Sequence, residues 1–279
     1  MAQNLMKAGY PLSVLTRTRS KIDDLLASGA RWCDTPKEIA GQSDVVITML
    51  PDTPDVEQVV AGSDGLFDGL RPGMLIIDMS TVSPIAVRTL AREAEARGGD
   101  FLDAPVSGGD IGAQKATLSI MVGGREAAFN RAMPIFQALG KTILLMGDAG
   151  AGQITKAANQ ILTSIHIEAV AEALVFAVKA GVDPGKVRQA LMGGSAYSRI
   201  LENHGQKMID RNFTPGFRMR LHRKDLDITL DAGKAFGAAL PVTGQVRELM
   251  TETLKDGQGD MDNSSFILLI EKLSNLLGK

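Results

Sequence analysis

Cysteine is almost missing from this 279-residue sequence: Cys33 stands alone, which excludes an intrachain disulfide framework and a cysteine-based metal cluster. Histidine is scarce as well, and His166, His204 and His222 lack the spacing of a zinc site. Neither sign of charge is in excess. Lys plus Arg is 30 and Asp plus Glu is 32, a net charge of −2, which argues against a nucleic-acid binder acting through bulk charge. No unbroken apolar run approaches the ~18 residues of a membrane span. The opening MAQNLMKAGY lacks the apolar stretch of a signal peptide. These absences give the expectation of a cytoplasmic protein with neither nucleic acid nor membrane among its partners.

What is abundant is glycine: 30 residues, about 11% against a usual ~7%. The glycines fall singly or in pairs at the ends of periodic segments, as punctuation rather than as a flexible tract. The length suggests two domains at ~150 residues each, enough to bury a core without staples. In the first half, short apolar runs at 11–16, 44–50, 74–79, 101–106, 118–122 and 142–146 are separated by helical stretches. One such helix is capped by Ser20, with Asp23 as capping-box acid and Gly29 near its stop. Another opens at Ser83–Pro84 and runs to Gly98. Runs of this kind, buried on both faces, indicate a largely parallel sheet. Residues 1–148 therefore read as an α/β, Rossmann-like doubly wound domain.

The second half is different. From about Gly152 to Gly181 the pattern is one long apolar-rich helix, and Asp183–Pro184 starts the next. Further helical stretches follow at 198–210, 218–236, 242–254 and 264–277, with no strand-like alternation after Met146. Residues 149–279 read as an all-helical domain for substrate binding and oligomerisation, with a homodimer or homotetramer as the expected assembly.

A doubly wound sheet binds ligands beyond the C-terminal ends of its strands. After the run at 11–16 come Arg17, Thr18 and Arg19, with no acid before Asp23. A guanidinium here suits a ribose 2′-phosphate, although the same residues also read as solvated loop charges. Leu50–Pro51 follow the second run, and Thr81 follows the third as a ribose contact or a plain turn residue. Ser107-Gly108-Gly109 offer a hydroxyl and two approachable backbone N–H groups, a nest for a small carboxylate or simply a glycine turn. Lys156, in the first turns of the long helix, has Asn159 and Gln160 at i+3 and i+4 on its face. A lysine among apolar neighbours can serve as acid or base, whereas most helical lysines are solvated. Lys224, in a basic cluster, reads as surface unless context says otherwise.

Taken together, DAPVSGG at 103–109, GA at 112–113, TL at 117–118, MVGG at 121–124, GAGQITKAANQ at 150–160, TRT at 16–18, MLP at 49–51, DMST at 78–81 and HRKDL at 222–226 resemble the β-hydroxyacid dehydrogenase family, collinear over nearly the whole chain. The stretches at 167–184, 187–194 and 211–226 are most similar to the members that reduce tartronate semialdehyde (2-hydroxy-3-oxopropanoate) to glycerate. The resemblance implies an NADPH- or NADH-dependent oxidoreductase acting on a small hydroxyacid or semialdehyde. It makes Lys156 the general acid and gives the substrate carboxylate to Ser107, Gly108 and Gly109. Asn159 and Gln160 would orient the substrate. Arg17, Thr18, Leu50, Pro51, Thr81 and Lys224 would line the dinucleotide site. A 3-hydroxyisobutyrate dehydrogenase, or another short semialdehyde reductase, is the alternative within the class.

Two departures stand out. Ala116 occupies a position where the family usually has glycine. More seriously, the family's first strand and GxGxxG turn have no counterpart, and residues 1–9 match the helix that follows them. Their loss would leave a gap or exposed edges in the sheet. A mis-assigned start or a fragment explains this and is favoured by the intact downstream motifs. A truly shortened protein, acting without cofactor as a scaffold or oligomer partner, is the reading from another class.

Overall fold

The computed structural model describes residues 1–276. The chain divides into two compact units, Met1–Lys156 and Ala157–Lys279.

The first unit contains, in order, α1 (Ala2–Lys7), β1 (Ser13–Val14), α2 (Asp23–Ala27), β2 (Arg31–Trp32), α3 (Pro36–Gln42), β3 (Val45–Thr48), α4 (Thr53–Ala61), β4 (Leu75–Asp78), α5 (Pro84–Ala96), β5 (Asp100–Asp103), β6 (Val106–Ser107), α6 (Gly109–Lys115), β7 (Leu118–Gly123), α7 (Glu126–Gln137) and β8 (Gly140–Gly147). Strands β3, β4 and β5 are parallel and in register, Val45 opposite Leu75 and Leu75 opposite Asp100. The six-stranded sheet runs β3-β4-β5-β7-β6, with β8 paired to β7. Strand β4 shows why its run reads as continuously apolar. Leu75 and Ile77 pack with Leu102, Leu118 and Phe136 on one face, and Ile76 packs with Val56, Val87 and Phe101 on the other. Side chains alternate along a strand, so two covered faces require every position to be apolar. Each fully buried aliphatic chain of this kind contributes about 1.5–3 kcal/mol.

The sheet is largely parallel, as anticipated, with β7 antiparallel to its neighbours β5 and β6 and parallel to β8. Two local expectations need correction. The run at 101–106 is two strands, broken at Ala104-Pro105, where proline supplies no ladder donor. Ser20 is not a helix cap. It lies inside a 3-10 turn, Arg19–Ile22, and α2 begins after Ile22 without a side-chain cap. By contrast Ser83 caps α5, accepting from the N–H groups of Ile85 and Ala86, with Pro84 in the first turn. Ala116 closes α6 in the left-handed region at φ 54°, a conformation that glycine adopts without the steric penalty of a Cβ.

Strands β1 and β2 pair in parallel as a separate two-stranded sheet. The strands of this unit therefore form two separate sheets.

The second unit is helical: the body of α8 (Ala151–Lys179), then α9 (Pro184–Met192), α10 (Arg199–Ile209), α11 (Met219–Phe236), α12 (Pro241–Lys255) and α13 (Phe266–Leu273). Asp183 caps α9 through the N–H of Lys186, and Ser198 caps α10 through that of Leu201. Ile167, Val170, Leu174, Met219, Leu226, Val246, Met250 and Phe266 form the core. The helix anticipated at 264–277 is a 3-10 turn followed by α13, and Leu277 lies outside the described residues.

The absence of an unbroken apolar run conceals one property of α8. It is long and apolar enough to cross a membrane by length and composition, with a mean hydropathy of 1.8 in its most apolar window. Glu168 and Glu172 interrupt the run without lowering the mean below that level. Its buried positions 167, 170, 171 and 174 recur at helical spacing, as in a helix that packs one face on a core.

Candidate active site

The site begins with a row of buried polar groups in the first unit. Thr48, at the end of β3, donates its hydroxyl to Asp78 at the end of β4, 2.7 Å away. Ser80 donates to the same carboxylate oxygen from its hydroxyl (2.6 Å) and its N–H (3.2 Å). The Ser80 hydroxyl in turn accepts from the N–H of Leu50 at 2.8 Å. Two loops at strand C-termini, Leu50–Pro51 and Ser80–Val82, are thereby tied together.

The same row continues into α8. The Gln153 side chain accepts from the N–H of Val82 at 3.1 Å and donates to the carbonyl of Ser80 at 2.9 Å. Asp103, the last residue of β5, accepts from the N–H of Gly150 through Oδ1 (2.7 Å) and from the N–H of Gln153 through Oδ2 (2.8 Å). A carboxylate from another strand thus caps the helix, satisfying N–H groups that have no partner within it. Asp103 is fully buried. Burial pushes its carboxyl up to about 6, a rise restrained by the N–H groups of Gly150, Gln153 and Asp103 itself and reinforced by Asp78. These bonds hold the first turn of α8, and the first compact unit extends to Lys156.

Lys156 follows Gln153 by three residues and is 8% exposed. The inward face of α8 at this end is polar, carrying Gln153, Lys156, Gln160 and Ser164, all buried. Farther along, the same spacing delivers Ile167, Val170 and Leu174. A helix that exchanges an apolar buried stripe for a polar one at one end gives up burial energy there, which is the mark of a working surface.

The remaining candidate residues fall as follows. Ser107 ends β6, and Gly108 and Gly109 follow at φ 135° and 61°, solvent-facing, with backbone that only glycine adopts readily. Asn159 is half-buried and donates to Gln160 at 2.7 Å. Gln160 donates to Asp225 of α11 at 2.6 Å, so its amide N–H is committed to a bond between helices of the second unit. Lys224 lies on α11 and pairs with Asp225 at 2.8 Å. Arg17 follows β1, its side chain 78% exposed and in contact with Asp55 at 3.3 Å. Thr18 is exposed beside it. Sequence reasoning passed over Asp78, Ser80, Asp103, Gln153 and Asp225. Each lies inside a quoted motif, and for Asp78 and Asp103 the signal is an acid at the closing position of an otherwise apolar run.

A nicotinamide dinucleotide fits part of this donor set. The exposed guanidinium of Arg17 and the hydroxyl of Thr18 suit a ribose or its phosphate, and Leu50–Pro51 and Thr81 each follow the C-terminal end of a parallel strand.

The chain is similar to known proteins over nearly its whole length. Residues 1–147 match the family model of the NAD binding domain of 6-phosphogluconate dehydrogenase. Residues 150–270 match that described as NAD-binding of NADP-dependent 3-hydroxyisobutyrate dehydrogenase. The chain is 49% identical to 2-hydroxy-3-oxopropionate reductase of Escherichia coli (strain K12), over 99% of this chain and 94% of that protein. It is 35% identical to 2-(hydroxymethyl)glutarate dehydrogenase of Eubacterium barkeri, over 99% and 92%. Among solved structures, 3-hydroxyisobutyrate dehydrogenase of Mycobacterium tuberculosis with L-serine superposes with a TM-score of 0.88 at 32% identity, covering 96% of this chain and 94% of the other.

Proposed function

Since the chain belongs to the 3-hydroxyisobutyrate dehydrogenase-like family of NAD(P)-dependent oxidoreductases that act on hydroxyacids, we propose that it reduces tartronate semialdehyde to glycerate, with Lys156 as the general acid. The observation that carries the reading is the pair of hydrogen bonds from Gly150 and Gln153 to Asp103. They join the segment that ends in Ser107-Gly108-Gly109 to the first turn of the helix that bears a buried lysine. The choice of substrate within the class is supported by the 49% identity to 2-hydroxy-3-oxopropionate reductase.

NAD(P)H supplies the hydride for the aldehyde carbon when bound. The Ser107 hydroxyl and the N–H groups of Gly108 and Gly109 hold the substrate carboxylate. Asn159 orients the substrate from the next turn after Lys156. Lys156 Nζ donates a proton to the carbonyl oxygen, so that C=O becomes CH–OH. Arg17 supports a preference for NADPH, since its exposed guanidinium matches a 2′-phosphate. A homodimer or homotetramer is part of the same proposal, supported by the large exposed side chains Leu162 and Phe176 on α8.

The test is steady-state kinetics with tartronate semialdehyde against 3-hydroxyisobutyrate and 2-(hydroxymethyl)glutarate. Equal or better turnover of either alternative overturns the substrate. Lys156→Ala is expected to lower turnover by roughly 10²–10⁴-fold while cofactor binding by calorimetry persists. Near-normal turnover in that variant removes Lys156 from its role.

A further inference from the structure

Lys156 is only as useful as the accuracy with which it is held. Within its own segment the start of α8 is held by one turn bond, the Ala151 N–H donating to the Asp148 carbonyl at 2.9 Å. The loop before it is Gly147 to Gly150, with both glycines at positive φ. The further constraint comes from far along the chain. Asp103 lies 47 residues from Gly150 and 50 from Gln153, and Gln153 reaches back 71 residues to Val82 and 73 to Ser80.

We propose that Asp103 and Gln153 are positioning residues for Lys156, forming a clamp that fixes the first turn of α8 against the ends of β4 and β5. The proposal rests on the reading of Lys156 as the general acid. Three observations carry it. Asp103 uses both carboxylate oxygens, one on each of two helix N–H groups, which fixes the helix start in direction as well as in place. Gln153 uses both ends of its carboxamide on one loop, accepting from Val82 and donating to Ser80, so the helix cannot turn about its own axis without breaking a bond. All of Asp103, Gln153 and Ser80 are buried, where a lost partner is not replaced by water. The neighbourhood is also shaped for the carboxylate. A Cβ on Gly123 would come within 2.5 Å of Asp103 Oδ1, and one on Gly152 within 2.8 Å of Oδ2.

The clamp has a further link. Ser80 is bonded to both Leu50 and Gln153, so the loops assigned to the dinucleotide and the helix that carries the proton donor share one hydroxyl-bearing residue.

The experiment compares Gln153→Met, Asp103→Asn, Asp103→Ala and Lys156→Ala in the full chain. Asparagine keeps one acceptor oxygen and loses the other, methionine keeps the bulk of Gln153 without its bonds, and alanine removes the cap. Readouts are kcat and KM for tartronate semialdehyde at saturating NADPH, the pH profile of kcat, and the thermal midpoint. A displacement on the order of 1 Å at a reacting group lowers rate by up to about 10²-fold. The expected order in kcat is wild type, then Asp103→Asn, then Asp103→Ala. Gln153→Met should lose about 10-fold or more, with KM within about 3-fold, and the limb of the pH profile that Lys156→Ala removes should move. Wild-type kcat and pH profile in Gln153→Met and Asp103→Asn, alongside an inactive Lys156→Ala, overturn the clamp and leave the general acid standing. Losses confined to KM, or to stability with kcat intact, overturn it as well. Should Asp103→Ala not fold, the Asn and Met variants still decide. Full turnover in Lys156→Ala overturns the reading beneath the clamp, and the clamp with it.

Discussion

Replacing Gly152 with alanine sets helix propensity against packing. Gly152 lies in the first turn of α8, and alanine inside a helix is favoured over glycine by about 1 kcal/mol. Propensity alone therefore expects a gain. The structure expects a loss. A Cβ at this position would stand 2.3 Å from the carbonyl oxygen of Met121 and 2.8 Å from that of Asp103. Carbon does not approach closer than 3.0 Å, so the helix must retreat by about 0.7 Å from the nearer oxygen. Neither oxygen belongs to a side chain that could swing aside. Met121 lies within β7 and pairs with Leu144 of β8. Overpacking against such a wall costs about 1–3 kcal/mol, and the rigid carbonyls place this case at the upper end. Set against the propensity gain, the net expectation is a loss of about 2 kcal/mol.

The control is Gly244→Ala in α12, where the added Cβ would meet nothing within 4 Å. There a change between zero and about 1 kcal/mol in favour of alanine is expected. Urea denaturation decides. Trp32, the single tryptophan, belongs to the first unit and reports its unfolding, and circular dichroism follows the control. A Gly152→Ala protein as stable as the wild type would refute the close approach and, with it, the seating of α8.

Two other outcomes concern pH. Glu168 and Glu172 sit one turn apart on α8. Burial first, then the hydrogen bond and charge of Glu172, push the Glu168 carboxyl up from 4.5 to about 7. A raised carboxyl contributes stability that is fully present below pH 4.5 and lost as the pH rises through 7. Glu168→Gln should therefore raise the thermal midpoint above pH 7 and not at pH 5. An unchanged pH dependence would show that the Glu168 carboxyl is not raised. Asp262 behaves oppositely. Burial alone would raise its carboxyl, but the Lys207 ammonium at 2.9 Å, the Ser264 hydroxyl and N–H, and the Gly216 N–H outweigh it and leave it lowered. Its contribution holds at neutral pH and fades as the pH falls through that lowered value. Asp262→Asn should cost about 1–3 kcal/mol at pH 7 and progressively less as the pH falls through that lowered value; a loss that does not change with pH would exclude the charge as the cause.

Much of the fold is legible in the sequence because two-faced burial leaves a plain record. The run MLIIDM could only be a strand covered on both sides, and Ser83–Pro84 and Asp183–Pro184 mark helix starts by chemistry that acts within a few residues. What was less legible depends on distant partners. Strand β2 is two residues long and exists because Val14 and Trp32 meet across a helix. The reversal of β7 is made by the chain turning back through α6, after Ser107, which no periodicity records. The candidate site divides in the same way. Lys156 and Ser107-Gly108-Gly109 stand out by residue type, whereas Asp103 and Gln153 look like an ordinary strand-end acid and helical amide until the bonds that join them are seen. Gln160 is the reverse case. The resemblance implies that it orients the substrate, and in the structure its amide donates to Asp225, a partner the sequence does not reveal.

The division of the sheet has a consequence for how the backbone exchanges with solvent. Leu75 and Met79 donate across to the carbonyls of Asp44 and Thr48, so by the alternation of a parallel ladder the N–H groups of Val45 and Ile47 point to the other side of β3. No strand pairs with that side among the described residues. Neighbouring amides on one short strand should then differ in protection. Val46 and Thr48 should exchange slowly with deuterium and Val45 and Ile47 quickly, while β4, paired along both edges, sets the slow limit for the unit.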